Sequence, residues 1–299
     1  MAGRGHLPTE QSNPRSEDLD LLSIAAAFDV MNAEDATVAA SVARAREAIV
    51  RAIEVVAAKL AADGRLLHVG AGTSGRLGVL DAAECPPTFR TEPGRVQGVI
   101  AGGARALVEA VEGAEDDREA GGRALEERGV GPEDVVLGIA AGGTTPFVHG
   151  ALAYARSVGA ATIFLACVPA ELVPDEADVS IRVLTGPEVI AGSTRLKAGT
   201  ATKMVLNAIT TLAMTRLGKV HGNRMVDVET RGNAKLEERG IGLVAELVPC
   251  PRARAAELLE AADGEVKVAV VMGARALDAA GARARLAEAG GSLRRTLAP

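Results

Sequence analysis

The stretch Leu66-Leu67-His68-Val69-Gly70-Ala71-Gly72-Thr73-Ser74-Gly75-Arg76 decides the fold. A short apolar run enters a turn of glycines and small hydroxyl residues, and helical spacing resumes near Gly75 and holds through Ala83. This predicts a strand, a tight turn and a helix start. Such a turn gathers backbone N–H groups, two hydroxyls and the positive end of a helix dipole around one point, which suits a phosphate. Gly70-x-Gly72-x-x-Gly75 also fits the dinucleotide fingerprint, but that reading needs an acidic residue roughly 20 positions on, at the tip of the next strand. The next strand, Val96 to Ile100, ends in Ala101-Gly102-Gly103; Asp81 and Glu84 come too early and Glu92 precedes the strand. The loop therefore reads as the cradle for the phosphate of a smaller ligand.

Outward from this loop the pattern alternates. Residues 1–20 are polar, contain Pro8 and Pro14, and read as an arm rather than an element. Glu34 to Ala62 has helical spacing, as one long helix or two joined ones. Further strands are predicted at Asp134–Ala140, Ala161–Ala166 and Val179–Leu184. Helices are predicted over Ala104–Glu112, Arg118–Glu127, from Pro146, and over Thr194–Leu217. Apolar strands alternating with helices give an α/β fold, a mostly parallel sheet with helices on both faces, whose ligands sit at the C-terminal strand ends. After Asn233 come short amphipathic segments: Ala234–Leu247, Arg252–Ala262, Glu265–Leu277 and Ala280–Ala289. They read as a small C-terminal helical module. The expected organisation is an arm over 1–20, an α/β domain that carries the phosphate loop over 21–240 and the module over 241–299.

Composition narrows the function. With 299 residues, 48% of them hydrophobic, the chain can bury a large core. A net charge of −6 leaves no basic stripe for a nucleic acid. No apolar run approaches the ~20 residues of a membrane span, and the N-terminal segment carries no signal-peptide pattern. The three cysteines, Cys85, Cys167 and Cys250, are widely spaced and read as reduced thiols, so the expected location is the cytoplasm. His149 and His221 have no metal-ligand spacing, and no metal site is predicted. His68, inside a strand, reads as a packed residue.

Two more loops repeat the first one's chemistry. Ala141-Gly142-Gly143-Thr144-Thr145-Pro146 follows a strand, with Pro146 suited to a first helical position. Gly192-Ser193-Thr194-Arg195-Leu196-Lys197 opens the long helix, and Lys197 could reach an anionic ligand. Each alone would be an ordinary helix cap; three in one parallel sheet are better explained by a shared ligand. Lys203 reads as a surface residue. Glu84 precedes Cys85-Pro86-Pro87, which should end its helix. In that last turn the helix dipole would disfavour its charged form. On residue grounds Glu84 reads equally as a solvated helix end, and Glu112-Gly113-Ala114-Glu115-Asp116-Asp117 as a solvated helix start.

These segments together resemble the N-acetylmuramic acid 6-phosphate etherases of the sugar isomerase (SIS) superfamily. The resemblance rests on Thr9-Glu10-Gln11-Ser12-Asn13-Pro14, on Gly70 to Phe89 with its Glu84-Cys85-Pro86-Pro87-Thr88-Phe89 ending, and on Val111 to Asp117. It rests also on Gly186-Pro187-Glu188-Val189, Gly192 to Thr200, and Gly222 to Val228. It implies elimination of the C3 lactyl ether of N-acetylmuramic acid 6-phosphate followed by water addition, without a cofactor, because the C1 aldehyde of the open sugar is the electron sink. By resemblance Glu84 is the acid toward the ether oxygen and Glu115 the second acid/base group. Gly72, Thr73, Ser74, Gly75, Gly143, Thr144, Thr145, Ser193, Thr194 and Lys197 would hold the phosphate and sugar hydroxyls. A homodimer, and a small three-helix module over 241–299, are implied in the same way. The family commonly carries a serine where this chain has Gly142, and a lost neutral hydrogen bond of ~0.5–1.5 kcal/mol would lower affinity about tenfold. A non-catalytic sugar-phosphate-binding regulator of the glucokinase regulatory type is the alternative, and an aldose–ketose isomerase a third.

Overall fold

The computed structural model of the chain describes residues 4–232 and 234–298. These group into two compact units: Met1–Ala83 with Gly94–Thr210, and Glu84–Pro93 with Thr211–Pro299. The borders thus fall at 83/84, 93/94 and 210/211, whereas the sequence pattern changes near residue 240.

In the first unit three helices, α1 (Ile24–Asp35), α2 (Val38–Arg44) and α3 (Arg46–Ala61), precede the sheet. The expected one or two helices over Glu34–Ala62 are therefore two, and a further helix occupies Ile24–Asp35, capped by the Ser23 hydroxyl accepting from Ala26 N–H at 3.2 Å. The sheet comprises β1 (Leu66–Gly70), β2 (Val96–Ile100), β3 (Val135–Ile139), β4 (Ala161–Ala166) and β5 (Val179–Arg182). All four pairings are parallel, in the order β2-β1-β3-β4-β5. β1 and β3 are buried at every residue, as continuous apolar runs covered on both faces require.

The helices that follow are α4 (Gly72–Phe89), α5 (Arg118–Glu126), α6 (Pro146–Ser157) and α7 (Lys197–Arg216). Phe147, Val148, Ala151 and Leu152 of α6 pack with Leu67, Val69 and Val136 on one face. On the other face α4 lies so close that a Cβ on Gly78 would stand 2.8 Å from His68 Cβ. His68 is indeed a packed residue: its Nε2 is 3.0 Å from Asp81 Oδ2, and the Thr210 hydroxyl donates to Asp81 Oδ1 at 3.1 Å. The helix expected over Ala104–Glu112 is instead a short 3-10 turn, Gly103–Leu107, between Gly102 at positive φ and the glycine-containing acidic run.

The arm is better ordered than its composition suggests. Leu7 joins the core beside α6, and Thr9, Asn13 and Ser16 are buried. Asn13 Nδ2 donates to Glu34 and to Pro187 O, and the Ser16 hydroxyl donates to Val189 O. Polar side chains here bind backbone and buried acid rather than water, which hydrophobicity alone does not reveal.

In the second unit α8 (Ala234–Leu247), α9 (Arg252–Ala261), α10 (Val266–Arg275), α11 (Ala279–Glu288) and α12 (Leu293–Leu297) enclose a core of Val244, Leu258, Leu259, Val270, Val271 and Leu286. The first four match the segments read from the sequence within a few residues.

Candidate functional site

The strand order fixes where a ligand belongs. From the β1–β3 pair the sheet extends in opposite directions, and ligands of open parallel sheets bind outside the C-terminal ends at such a switch point. Both glycine–hydroxyl loops that follow β1 and β3 are there.

After β1 the helix starts at Gly72, three residues earlier than expected. A Cβ on Gly70 would stand 2.6 Å from Gly75 N, and one on Gly75 would stand 2.7 Å from Gly70 O. Only glycine at both places lets the helix turn back onto the strand this tightly. Thr73 and Ser74 lie in the first turn of α4, half-buried, where the leading N–H groups have no acceptor within the helix. From the same turn Arg76 donates to Leu107 O at 3.2 Å and Glu109 O at 2.9 Å. That holds the segment before the acidic run against the loop, and a cleft of about 240 Å³ opens between Gly72, Arg76, Glu112 and Glu115.

The loop after β3 is fastened by three bonds: Gly143 N–H to Ala140 O at 2.8 Å, Cys167 N–H to Ala141 O at 2.8 Å, and His149 Nε2 to Gly143 O at 2.6 Å. Thr145 is the N-cap of α6, yet its side chain makes no capping bond, so its hydroxyl is not consumed by the helix. One early N–H of α6 is taken: Phe147 N–H donates to Glu115 O at 3.0 Å. The acidic run is therefore tied to the second loop through Phe147, while Arg76 holds Leu107 and Glu109, just before the run, to the first. Glu115 stands between them with its side chain exposed.

The third loop differs. The buried Glu188 carboxylate accepts from Lys197 N–H and Ala198 N–H, both at 2.9 Å, and so occupies the N-terminus of α7 where an anion would otherwise bind. Burial raises the Glu188 carboxyl above the ordinary range, against the lowering effect of those two donors and of the Lys197 charge. Lys197 Nζ is 2.5 Å from Glu34 Oε2, with both side chains almost fully buried, so the ammonium faces an internal partner. Burial alone would raise the Glu34 carboxyl; hydrogen bonds from Lys197 and Asn13 and the charges of Lys197 and Arg15 outweigh it and hold Glu34 below its usual value. Ser193 and Thr194 are half-buried in the turn before α7. The loop stays beside the others: a Cβ on Gly199 would touch Thr73 Cγ2 at 3.6 Å, and Gly192 N–H donates to Thr9 O at 3.1 Å.

The first unit thus brings together Gly72, Thr73, Ser74, Gly75, Gly143, Thr144, Thr145, Ser193, Thr194 and Glu115. Glu84 lies in the second unit, exposed on α4. It does not sit in a last turn: α4 runs on through Pro86 and Pro87 to Phe89. Prolines accept helical φ and forfeit only their own N–H bonds and some carbonyl contact. The far end is held within that unit, where Glu229 N–H donates to Pro87 O at 3.2 Å and Arg90 pairs with Glu229 and Glu265. Glu34 and Glu188 escaped sequence reasoning. Glu188 is too far before α7 to register as a cap, and nothing near Glu34 points to Lys197. Among the described residues no group of three His, Cys, Asp or Glu side chains is placed to hold a metal ion.

Residues 48–156 match the family described as the glucokinase regulatory protein N-terminal SIS domain. An all-parallel sheet with hydroxyl loops and an acidic run at its switch point is accordingly a SIS-type domain. Similarity extends much further among curated proteins. An N-acetylmuramic acid 6-phosphate etherase of Synechocystis sp. is 53% identical over 98% of this chain and 96% of its own length. One from Synechococcus elongatus is 56% identical over 98% and 95%. More distant is the solved structure of the E. coli CFT073 protein c3406, at 15% identity and a TM-score of 0.48, covering 68% of this chain and 97% of that one. The chain belongs to the N-acetylmuramic acid 6-phosphate etherase family.

Proposed function

We propose that this chain cleaves the C3 ether of N-acetylmuramic acid 6-phosphate, giving N-acetylglucosamine 6-phosphate and D-lactate. It is a carbon–oxygen lyase acting on a sugar phosphate. In the open-chain sugar the C2 proton is acidified by the C1 aldehyde, so a carboxylate can remove it while hydrogen bonds stabilise the enolate. Departure of the lactyl oxygen from C3 needs a proton from a carboxylic acid, and water then adds at C3 of the unsaturated aldehyde. Atoms balance without an external oxidant or cofactor. We assign Glu84 to protonation of the ether oxygen and Glu115 to the second acid/base role. The 6-phosphate falls to Gly72, Thr73, Ser74 and Gly75 with Gly143, Thr144 and Thr145, and the sugar hydroxyls to Ser193 and Thr194.

The single observation that carries the assignment of Glu115 is its tether. Phe147 N–H holds the Glu115 backbone at the loop after β3, and Glu115 lines one cleft with Gly72 and Arg76 of the loop after β1, which supports assigning its carboxylate to the ligand held there. Working as a homodimer in the cytoplasm belongs to the same proposal. Exposed Ile24, Phe28 and Met31 recur at helical spacing on α1, an apolar stripe that a second copy would cover. No helix among the described residues is long and apolar enough to cross a membrane.

The test is lactate release from N-acetylmuramic acid 6-phosphate by the wild type beside Glu84→Ala and Glu115→Ala. Release that drops by about 100-fold or more in both variants supports the pair, since a positioned acid or base contributes roughly that much. Folded wild type that binds the sugar phosphate without releasing lactate would instead describe a regulator.

A further inference from the structure

The arm residues Thr9 and Glu10 have no part in the chemistry above, yet they stand between two of its loops. Leu7 anchors the arm in the core on one side, and Asn13 and Ser16 bind Glu34, Pro187 O and Val189 O on the other. Between these anchors Thr9 O accepts from Gly192 N–H, and the Thr9 hydroxyl faces Gly142, 3.8 Å from where a Cβ would lie. That hydroxyl is fully buried and has no hydrogen-bond partner among the described residues. Glu10 Oε2 lies 3.2 Å from the Cβ position of Gly192, a glycine at φ +77°. A Cβ there would press on the carboxylate, and the positive φ itself favours glycine, which leaves Glu10 room beside the third loop. Glu10 is half-buried, and its carboxylate has no ion pair or hydrogen bond among the described residues. An acceptor-only carboxylate with no donor in the chain is available to accept one from a ligand hydroxyl.

We propose that Glu10 is a substrate-contacting residue that accepts a hydrogen bond from a sugar hydroxyl held at the Gly192–Thr194 loop. Its charge rules out the phosphate as its partner, because like charges at hydrogen-bond distance repel. The phosphate therefore sits at the loops after β1 and β3, and Glu10 reads the opposite, hydroxyl-bearing part of the ligand. Glu10 and the helix N-termini thus orient the sugar by opposite charge preference. The identity of the sugar rests on the etherase reading; the placement of Glu10 does not.

Full-length Glu10→Gln and Glu10→Ala are compared with wild type by calorimetric titration with N-acetylglucosamine 6-phosphate and with inorganic phosphate, and by lactate-release kinetics. Loss of a charged hydrogen bond should weaken sugar-phosphate binding roughly tenfold or more and raise KM in step, with kcat less affected. Inorganic phosphate should bind as in wild type. Unchanged sugar-phosphate binding in both variants overturns the proposal. So does equal weakening of both ligands, which would mark Glu10 as a prop for the loops. If wild type releases no lactate but Glu10→Gln selectively weakens sugar-phosphate binding, the etherase reading fails and the role of Glu10 stands.

Discussion

Replacing Lys197 by Met would show whether its charge serves the fold or the ligand. Its ammonium and the Glu34 carboxylate are 3% and 7% exposed at 2.5 Å separation, and Lys197 Nζ has no other ion-pair partner among the described residues. Removing one partner of a buried pair costs about 3–5 kcal/mol, because the other charge stays behind. Lys197→Met leaves Glu34 with Arg15 at 3.2 Å and Asn13 at 2.9 Å, which places its loss near the lower end, about 3 kcal/mol. Glu34→Leu strands an ammonium with no substitute acceptor. The Glu188 carboxylate near it is already engaged by two backbone N–H groups, so this loss falls toward the upper end, about 5 kcal/mol. The order of stability by thermal denaturation at pH 7 should be wild type, Lys197→Met, Glu34→Leu, with Tm falling by roughly 2–4 °C per kcal/mol. The double variant should recover much of the loss. Glu34 is held below its ordinary 4.5, so its contribution is present above that pH and is lost as pH falls through its folded value. The gap between wild type and Lys197→Met should therefore close on acidification. A Lys197→Met protein that keeps its Tm and loses sugar-phosphate affinity would refute this account and return Lys197 to the ligand.

Gly142→Ser has room, since the nearest neighbour of a Cβ there is Thr9 Oγ1 at 3.8 Å. The new hydroxyl should either raise Tm by pairing with Thr9 or tighten N-acetylglucosamine 6-phosphate binding up to about tenfold. A fall in Tm with unchanged affinity, by calorimetry, would contradict the open geometry. Cys167 is fully buried, and burial with the nearby Glu188 charge pushes its thiol up to about 12, against a hydrogen bond involving Thr185. At pH 8 a thiol reagent should label Cys250 in the native protein and reach Cys167 only on unfolding; native labelling of Cys167 at a comparable rate would count against the packing described.

The strands were legible because each is a short, mostly apolar run largely buried by the parallel sheet, as at Val96–Ile100 and Ala161–Ala166, whose limits agree residue for residue. The glycine–hydroxyl loops were legible because tight turns leave few residue choices. Other features depend on partners distant in sequence. Lys197 looked free to meet an anion until Glu34 came beside it, and the polar arm looked unstructured until its side chains found backbone oxygens. The tandem prolines misled for a different reason: a helix tolerates them when the lost bonds are few, and sequence rules score each proline as a stop.

The second unit is built from two separated pieces, and this bears on how the chain is made. Phe89 is buried, Pro87 O awaits Glu229 N–H, and Arg90 awaits Glu229 and Glu265. During synthesis residues 84–93 emerge long before those partners, while most of the first unit can already be assembling. Closing so long a loop carries an entropic cost that falls on the last stage of folding. A fragment starting at Thr211 would lack the Arg90 pairs and the Pro87 O bond to Glu229 N–H, and no single cut separates the two units intact. Limited proteolysis should therefore release no C-terminal piece as stable as the same residues within the whole chain.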